Sequence, residues 1–562
     1  MKHSIISKKG CARRYVTRRF PLRALSLAAL TMAGSAHAFE IETENPDLKM
    51  HWDNTAKYSA AARLKGQAPI LTSDPNQDDG DKNFNRGLIS NRLDLLSEFD
   101  ATYKDFGIRV SGAAWYDTVY NQSNQNNSSP STVNSFGTRN NQFSSATKSL
   151  SGQKVDLLDA FVSGKINLGD MPATFRLGRH ALIWGESLFF GGNGIAAGQA
   201  PIDVSKALAV PNLKFNELIR PDNQLSGQLQ IKPNISVGGY YKFSWEENRL
   251  PALGSYFSGI APDFVLPGAD MLFVPGAGTN VFFGREADMK AKNSGQGGVQ
   301  LKYRPEGTEV DLGFYALQYN DRNFQVLLKP GVFTSAPLAP NQIGQYQLAY
   351  HENIKTYGVS ASTSVGNVNV AGEISVHRNL DLQSTAQLDF TNSSNNSSNP
   401  LYAVGNSLQA QVSWIASLGP SFIAREASWI GEVAWNRRTS ITKNAGALDP
   451  NSTRDAWSLR TVFEPAYKQA LPGVDLSIPI GLGYTPKGSR SSVVGAFGVE
   501  NGGDISVGLN GAYLDAWRFG LNYTHYYGRQ NTFLVPISIA NQTYAQSLKD
   551  RDFISFTASR TF

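Results

Sequence analysis

Five histidines lie beyond residue 38, namely His51, His180, His351, His377 and His525, and they are the first candidates for proton transfer. Each falls in or beside a different strand candidate, so their spacing assembles no site. His180, Glu186 and Ser187 offer a base, an acid and a hydroxyl in one short segment. Their spacing says only that they share one strand end, and no G-x-S-x-G, H-E-x-x-H or glycine-rich phosphate loop occurs in a suitable context. A hydrogen-bonded histidine at a barrel rim is the favoured reading, and no catalytic residue, cofactor site or metal site is expected. The acidic run Asp74-Pro75-Asn76-Gln77-Asp78-Asp79-Gly80-Asp81 faintly resembles a calcium loop. It lacks the glutamate that closes an EF-hand loop, so a structural calcium ion is the weaker reading.

Two long apolar segments are the stronger candidates for binding. The first follows Arg176, Arg179 and His180 and carries Trp184, Glu186, Phe189 and Phe190 on its way to Leu213 and Phe215. The second runs from Leu250 to Phe283 and contains Phe257, Phe264 and Phe273. Apolar loops must bury themselves, either inside a lumen as a constriction or against one another as a lid. Self-packing that stabilises one end is the structural reading; an entry site for a hydrophobic solute is the functional one. By contrast, Asn121–Thr132 and Thr391–Asn399 are almost all Asn, Gln, Ser and Thr, and read as solvated, mobile spacers.

Segments of this kind need a scaffold, and composition narrows it. The 562 residues are 41% apolar, 11% aromatic and 17% charged, too apolar for a disordered chain and poor in charge for a cytosolic enzyme. No uninterrupted apolar run is long enough for a membrane-spanning helix. The formal charge of +6 resides at the start, where residues 1–38 hold eight Lys and Arg and no acid. Subtracting those eight from 52 leaves 44 cations against 46 carboxylates, a net −2, so the charge does not point to nucleic acid. The same stretch has a cationic start, an apolar segment Ala24–Ala33 and the cleavage pattern Ala36-His37-Ala38, predicting a secretory signal over 1–38 and a single domain over 39–562. Cys11, the only cysteine, would leave with it, and no disulfide would remain.

Period-two alternation then predicts strands. From Leu48 to Leu64 the even positions include Leu48, Met50, Trp52, Tyr58 and Leu64, while Lys49, His51, Asp53, Lys57 and Arg63 alternate with them. From Asn91 to Tyr103 the residues Leu93, Leu95, Phe99 and Tyr103 oppose Arg92, Asp94, Glu98 and Asp100. Charges on a second face are expensive in a dry core and natural beside a wet lumen. Strand candidates begin near Leu48, Asn91, Gly107, Val155, Thr174 and Leu225, then Ile235, Gly298, Thr308, Lys355, Asn367 and Val404. The last begin near Ala427, Ala456, Val474, Gly503, Ala516 and Arg551, for 18 in all, with long and short connections alternating. Two suspected long turns, Gly419–Glu426 and Glu464–Gly473, leave 16 as the alternative count. The chain ends on Phe562, with Arg560 where outer-membrane barrels usually place an apolar residue. The expected fold is all-β: a transmembrane antiparallel barrel of the Gram-negative outer membrane, both termini periplasmic, with long extracellular loops folding over or into the lumen.

The blocks Trp52–Leu64, Asp78–Asp100, Ser111–Asp117, Arg176–Ser187 and Pro201–Lys206 resemble a proteobacterial outer-membrane family, domain of unknown function 1302. The likeness extends over the whole mature chain, with two departures: His180 replaces an expected Gln, and Ala200 replaces an expected Asn before Pro201. The resemblance implies an outer-membrane barrel that passes hydrophobic compounds and works beside a periplasmic carrier protein and a resistance-nodulation-division transporter. It supplies no catalytic residues. The expected partners are a hydrophobic solute of fatty-acid, sterol or aromatic type, outer-membrane lipid and lipopolysaccharide. A polar-solute diffusion porin is the first alternative; lumen charges such as Asp53, Lys57, Arg92, Asp94, Glu98, Arg109 and Arg176 suit either, whereas the few charges at the centres of the two apolar loops favour the hydrophobic solute. A surface receptor or adhesin, resting only on the Asn/Ser loops, is the second.

Overall fold

The computed structural model describes residues 39–562 except 130, 278 and 332–337. The predicted signal over 1–38, with Cys11, lies outside the described residues. Eighteen antiparallel strands close into a barrel. The first spanning strand, Leu48–Arg63, pairs on one side with Gly87–Tyr103 and on the other with the last, Phe553–Thr561. Closure satisfies every strand edge, which a lipid environment demands because it offers the backbone no other partner.

The alternation in the sequence is the alternation of the walls. Trp52 opposes Phe99 and Tyr58 opposes Leu93 on the outer face, while Lys57 opposes Asp94 and Asp53 opposes Glu98 on the inner one. Leu93, Leu95, Ile108, Ile374 and Val412 are each about half exposed, forming the outer apolar band. Phe562 exchanges both backbone hydrogen bonds with Asn54 at 2.8 Å, sealing the seam. Arg560 does not break that band: its guanidinium lies over the Trp517 ring, 5.3 Å from the centroid, which keeps the cation at an aromatic surface.

Short turns gather at one end. Two-residue connections follow Tyr103, Leu168, Lys232, Val365 and Leu471, and a three-residue one, Leu514–Ala516, follows Tyr513. At the last of these both Leu514 and Asp515 have positive φ (50° and 53°), the twist-matched geometry of a tight hairpin. Glu464–Gly473 is not the long turn expected: Asp455–Leu471 is strand almost throughout, and Val474 follows immediately after Pro472-Gly473. The next strand is broken instead, into Val474–Ser477 and Ile480–Thr485, because Pro479 has no N–H for the ladder. The strand number is therefore 18, and 16 is excluded.

The long loops at the opposite end build a second layer, with a five-stranded sheet that the sequence did not announce. Gln325–Pro330 and Gln342–Ala349 form its centre, flanked by Phe282–Arg285, Met271–Phe273 and Gln387–Leu388. It carries a dry core in which Phe264, Leu266, Leu272, Tyr346 and Leu348 are buried, and the Tyr346 hydroxyl donates to the Phe264 carbonyl at 2.8 Å. The polar loops are solvated, with Thr391–Ser393, Ser398 and Asn399 exposed, yet they carry their own hydrogen bonds. Asp389 accepts from Thr391, Ser393 and Ser394, and Asn395 from Ser397, Ser398 and Asn399, so short side chains fold their own backbone. Asn126 and Asn396 are buried: Asn126 accepts the Ser128 N–H at 3.0 Å, and the Asn396 amide donates to the Met289 carbonyl at 2.8 Å.

Candidate functional site

The first apolar loop leaves the barrel rim at His180 and folds into the lumen. Its residues Gly191–Asn193 and Ile195–Gly198 form two short helical turns, whose compactness lets the segment fit inside the walls. One flank packs Trp184 and Ile195 against Tyr240, Tyr315 and Leu317; Trp184 and Tyr240 meet edge to face with centroids 5.0 Å apart.

The opposite flank is held by two carboxylates on the inner wall. Glu373, on Val368–Asp381, accepts the Glu186 N–H at 2.7 Å, the Ile195 N–H at 3.0 Å and the Gln411 amide at 2.9 Å. Glu432, on Glu426–Lys443, accepts the Ser187 hydroxyl at 2.9 Å and the Leu188 and Phe190 N–H groups at 3.1 and 2.9 Å, with Phe189 N–H joining them. Each charge thus meets a fan of backbone donors, the arrangement that makes a buried carboxylate tolerable. Glycine permits the close approach: a Cβ at Gly194 would lie 2.0 Å from Glu373 Oε1, and at Gly185, where φ is +92°, 2.4 Å from Glu373 Oε2. The Asn193 amide reaches the Trp435 carbonyl at 3.2 Å, and the Asn436 amide returns to Asn193 at 2.8 Å. Arg322 ties the Gly198 carbonyl at 3.3 Å.

Phe189 and Phe190 sit at the tip of this tethered segment, half-buried. Arg460 lies over the Phe189 ring at 5.9 Å, and Phe190 meets Phe497 edge to face at 5.6 Å. Glu186 is partly buried too, and burial raises its carboxyl above the ordinary range. Downstream, Asp203 caps the helix Val204–Ala209 by accepting the Lys206 N–H at 2.9 Å and pairs with Arg249 at 3.1 Å.

The predicted residues divide into three groups. Trp184, Glu186, Phe189 and Phe190 come together in the lumen. His180 and Arg176 stay on the wall: the Gly178 carbonyl must accept at 3.0 Å, so Nδ1 carries the proton and Nε2 accepts from Ser226 at 2.7 Å. Arg176 stands over the Phe161 ring at 5.5 Å. Arg179 shares a strand face with the outward Leu177 and pairs with Glu246 at 2.8 Å. Phe257, Phe264 and Phe273 belong to the cap: Phe264 and Phe273 are buried there, and Phe257 packs on Phe553 at 5.4 Å. His180, Glu186 and Ser187 are not assembled: the His180 ring bonds Ser226, the Ser187 hydroxyl donates to Glu432, and Glu186 meets Glu373 through its backbone N–H.

The inner wall formed by the first four strands is charged. Arg109 bridges Glu98, Asp100 at 2.8 Å and Asp159 at 3.5 Å, and Arg92 pairs with Asp94. Glu373 and Glu432 escaped the sequence reading. Alternation places both on a polar face, but nothing in a single sequence tells which loop will meet them.

Residues 19–562 match a family model described as "Protein of unknown function (DUF1302)". No curated protein matches the sequence. Among solved structures, OpdK of Pseudomonas aeruginosa with vanillate is similar over 91% of this chain and 98% of its own, at 9% identity and a TM-score of 0.39. OccK2 (OpdF) of the same bacterium, in complex with glucuronate, matches over 91% and 98% at 9% identity and a TM-score of 0.40. The outer membrane channel DcaP of Acinetobacter baumannii matches over 94% and 100% at 8% identity and a TM-score of 0.37.

Proposed function

The chain belongs to the DUF1302 family of proteins of unknown function, and from that premise we propose that it is a passive outer-membrane channel for hydrophobic small molecules of fatty-acid, sterol or aromatic type. The observation that carries this reading is the segment Trp184–Phe215, folded into the lumen, fastened through Glu373 and Glu432, and presenting Phe189 and Phe190. A solute would pass between these rings and the charged wall of Arg92, Asp94, Glu98 and Arg109, driven only by its gradient. Aromatic rings shed water from an apolar solute, while the mixed charges opposite keep the remaining lumen wet. The outer band would face lipid and lipopolysaccharide, the short turns and both termini the periplasm, where a carrier protein would receive the solute. No covalent chemistry is assigned to any residue.

The ladder of ion pairs on the wall favours a second reading, diffusion of polar solutes. Planar-bilayer conductance and fluorescent fatty-acid or sterol binding separate the two. The proposal expects low wild-type conductance that rises when Leu188–Ala197 is deleted, with loss of ligand binding. Large wild-type conductance without ligand binding would leave the polar diffusion pore.

A further inference from the structure

Beneath the cap lie six aspartates, Asp74, Asp78, Asp79, Asp81, Asp263 and Asp550, none more than 4% exposed. Three cations match half of their charge. Arg63 and Arg551 bracket Asp81 and Asp550 in a closed tetrad, with separations of 2.7, 2.9, 3.1 and 3.5 Å. Lys82 holds Asp78 at 2.6 Å. Asp74 accepts from Asn76, Gln77 and Ile537 at 2.8–2.9 Å.

Asp79 and Asp263 are left over. They face Asp78, and one carboxylate oxygen from each of the three lies within 4.8 Å of the others. Asp263 Oδ2 accepts the Asp79 N–H at 3.0 Å, and Asp79 Oδ2 accepts the Asn134 N–H at 3.2 Å. Asp79 Oδ1 meets no donor among the described residues. Neither does Asn134 Oδ1, although Asn134 is fully buried and its amide nitrogen is already engaged by Asn76 and Met271. Two buried acceptors without donors, beside carboxylates without cations, leave a full positive charge wanting. Burial, with the neighbouring Asp78 carboxylate, pushes Asp263 up to about 8, a sign of how poorly the protein alone supports these anions.

We propose that Asp78, Asp79 and Asp263, with the Asn134 side-chain oxygen beside them, bind a divalent cation of the calcium type. The donor set is all oxygen, which suits a hard cation. Its members come from three different long loops, so the ion would staple the cap rather than take part in transport. The loops already abut there: a Cβ at Gly80 would lie 1.9 Å from Ser258 Oγ and 2.5 Å from the Ser255 carbonyl. The acidic run that lacks an EF-hand glutamate thus receives its missing carboxylate from Asp263 on another loop.

The test uses the mature chain refolded from inclusion bodies in detergent, free of lipopolysaccharide that could itself carry calcium. After dialysis against EDTA, equilibrium dialysis with calcium chloride should find one calcium per chain, and its addition should raise the Tm by several degrees. Asp263→Asn and Asp79→Asn should each abolish both effects. Wild-type protein that binds no calcium and keeps its Tm in EDTA would overturn the proposal and leave a carboxyl pair sharing a proton. Binding that persists in both variants would overturn the assignment of the site. The wild-type measurement needs no variant to fold.

Discussion

The two apolar loops, Trp184–Phe215 and Leu250–Phe283, have similar composition and opposite fates. The first is fastened inside the lumen by two wall carboxylates; the second builds the cap, with Tyr256 and Phe257 packed on Phe553 at the start of the last barrel strand. Apolar content sets the need for burial, whereas the place of burial is set by polar anchors. Leu188, Phe189 and Phe190 offer their N–H groups to Glu432. Phe264 gives its carbonyl to Tyr346 within the cap sheet. A directional hydrogen bond selects among surfaces that the hydrophobic effect cannot distinguish.

The sharpest contrast should come from the cap. Phe264→Ala empties a buried ring site and is expected to destabilise the protein by about 3–5 kcal/mol, read as a lower Tm, with single-channel conductance unchanged while folded. Glu432→Gln acts on the other loop: a charge with four donors becomes neutral, costing about 1–3 kcal/mol of docking, and conductance should rise while the Tm moves little. Gly194→Ala drives a methyl into Glu373 and should loosen the same flank, raising conductance more modestly. Arg560→Ala removes only the cation over Trp517, about 0.5–1 kcal/mol of stability, and should leave both loops as they are. Equal conductance changes for the cap and lumen variants would erase the distinction.

Much of the barrel was legible because alternation repeats along every strand and turns leave short gaps. Leu48, Ile235, Val404 and Val474 were placed at the residues where strands begin. The suspected long turn at Glu464–Gly473 is mostly strand: Pro465 stands inside Asp455–Leu471, paired with Ala427, and only Pro472-Gly473 turns. The cap sheet was hidden because Phe282–Arg285 pairs with Gln342–Ala349 across a gap that no local pattern bridges. The lumen site was half legible. Trp184, Glu186, Phe189 and Phe190 were marked by greasiness in a loop, but Phe257, Phe264 and Phe273 carried the same mark; Phe264 and Phe273 are buried in the cap, and Phe257 packs on the barrel residue Phe553. Glu373 and Glu432 looked like any residues of a polar face, and Asn193 like any polar residue of a loop. Contacts between residues more than 170 positions apart leave no trace in spacing.

The central claim is that Phe190 stands in the conduction path. Residues 39–562 contain no cysteine, so in a chain that starts at Phe39 a Phe190→Cys variant can be modified alone with a charged thiol reagent during single-channel recording. The account predicts a stepwise change in conductance on modification. Conductance unaffected by a reagent shown by mass spectrometry to have reacted would contradict it.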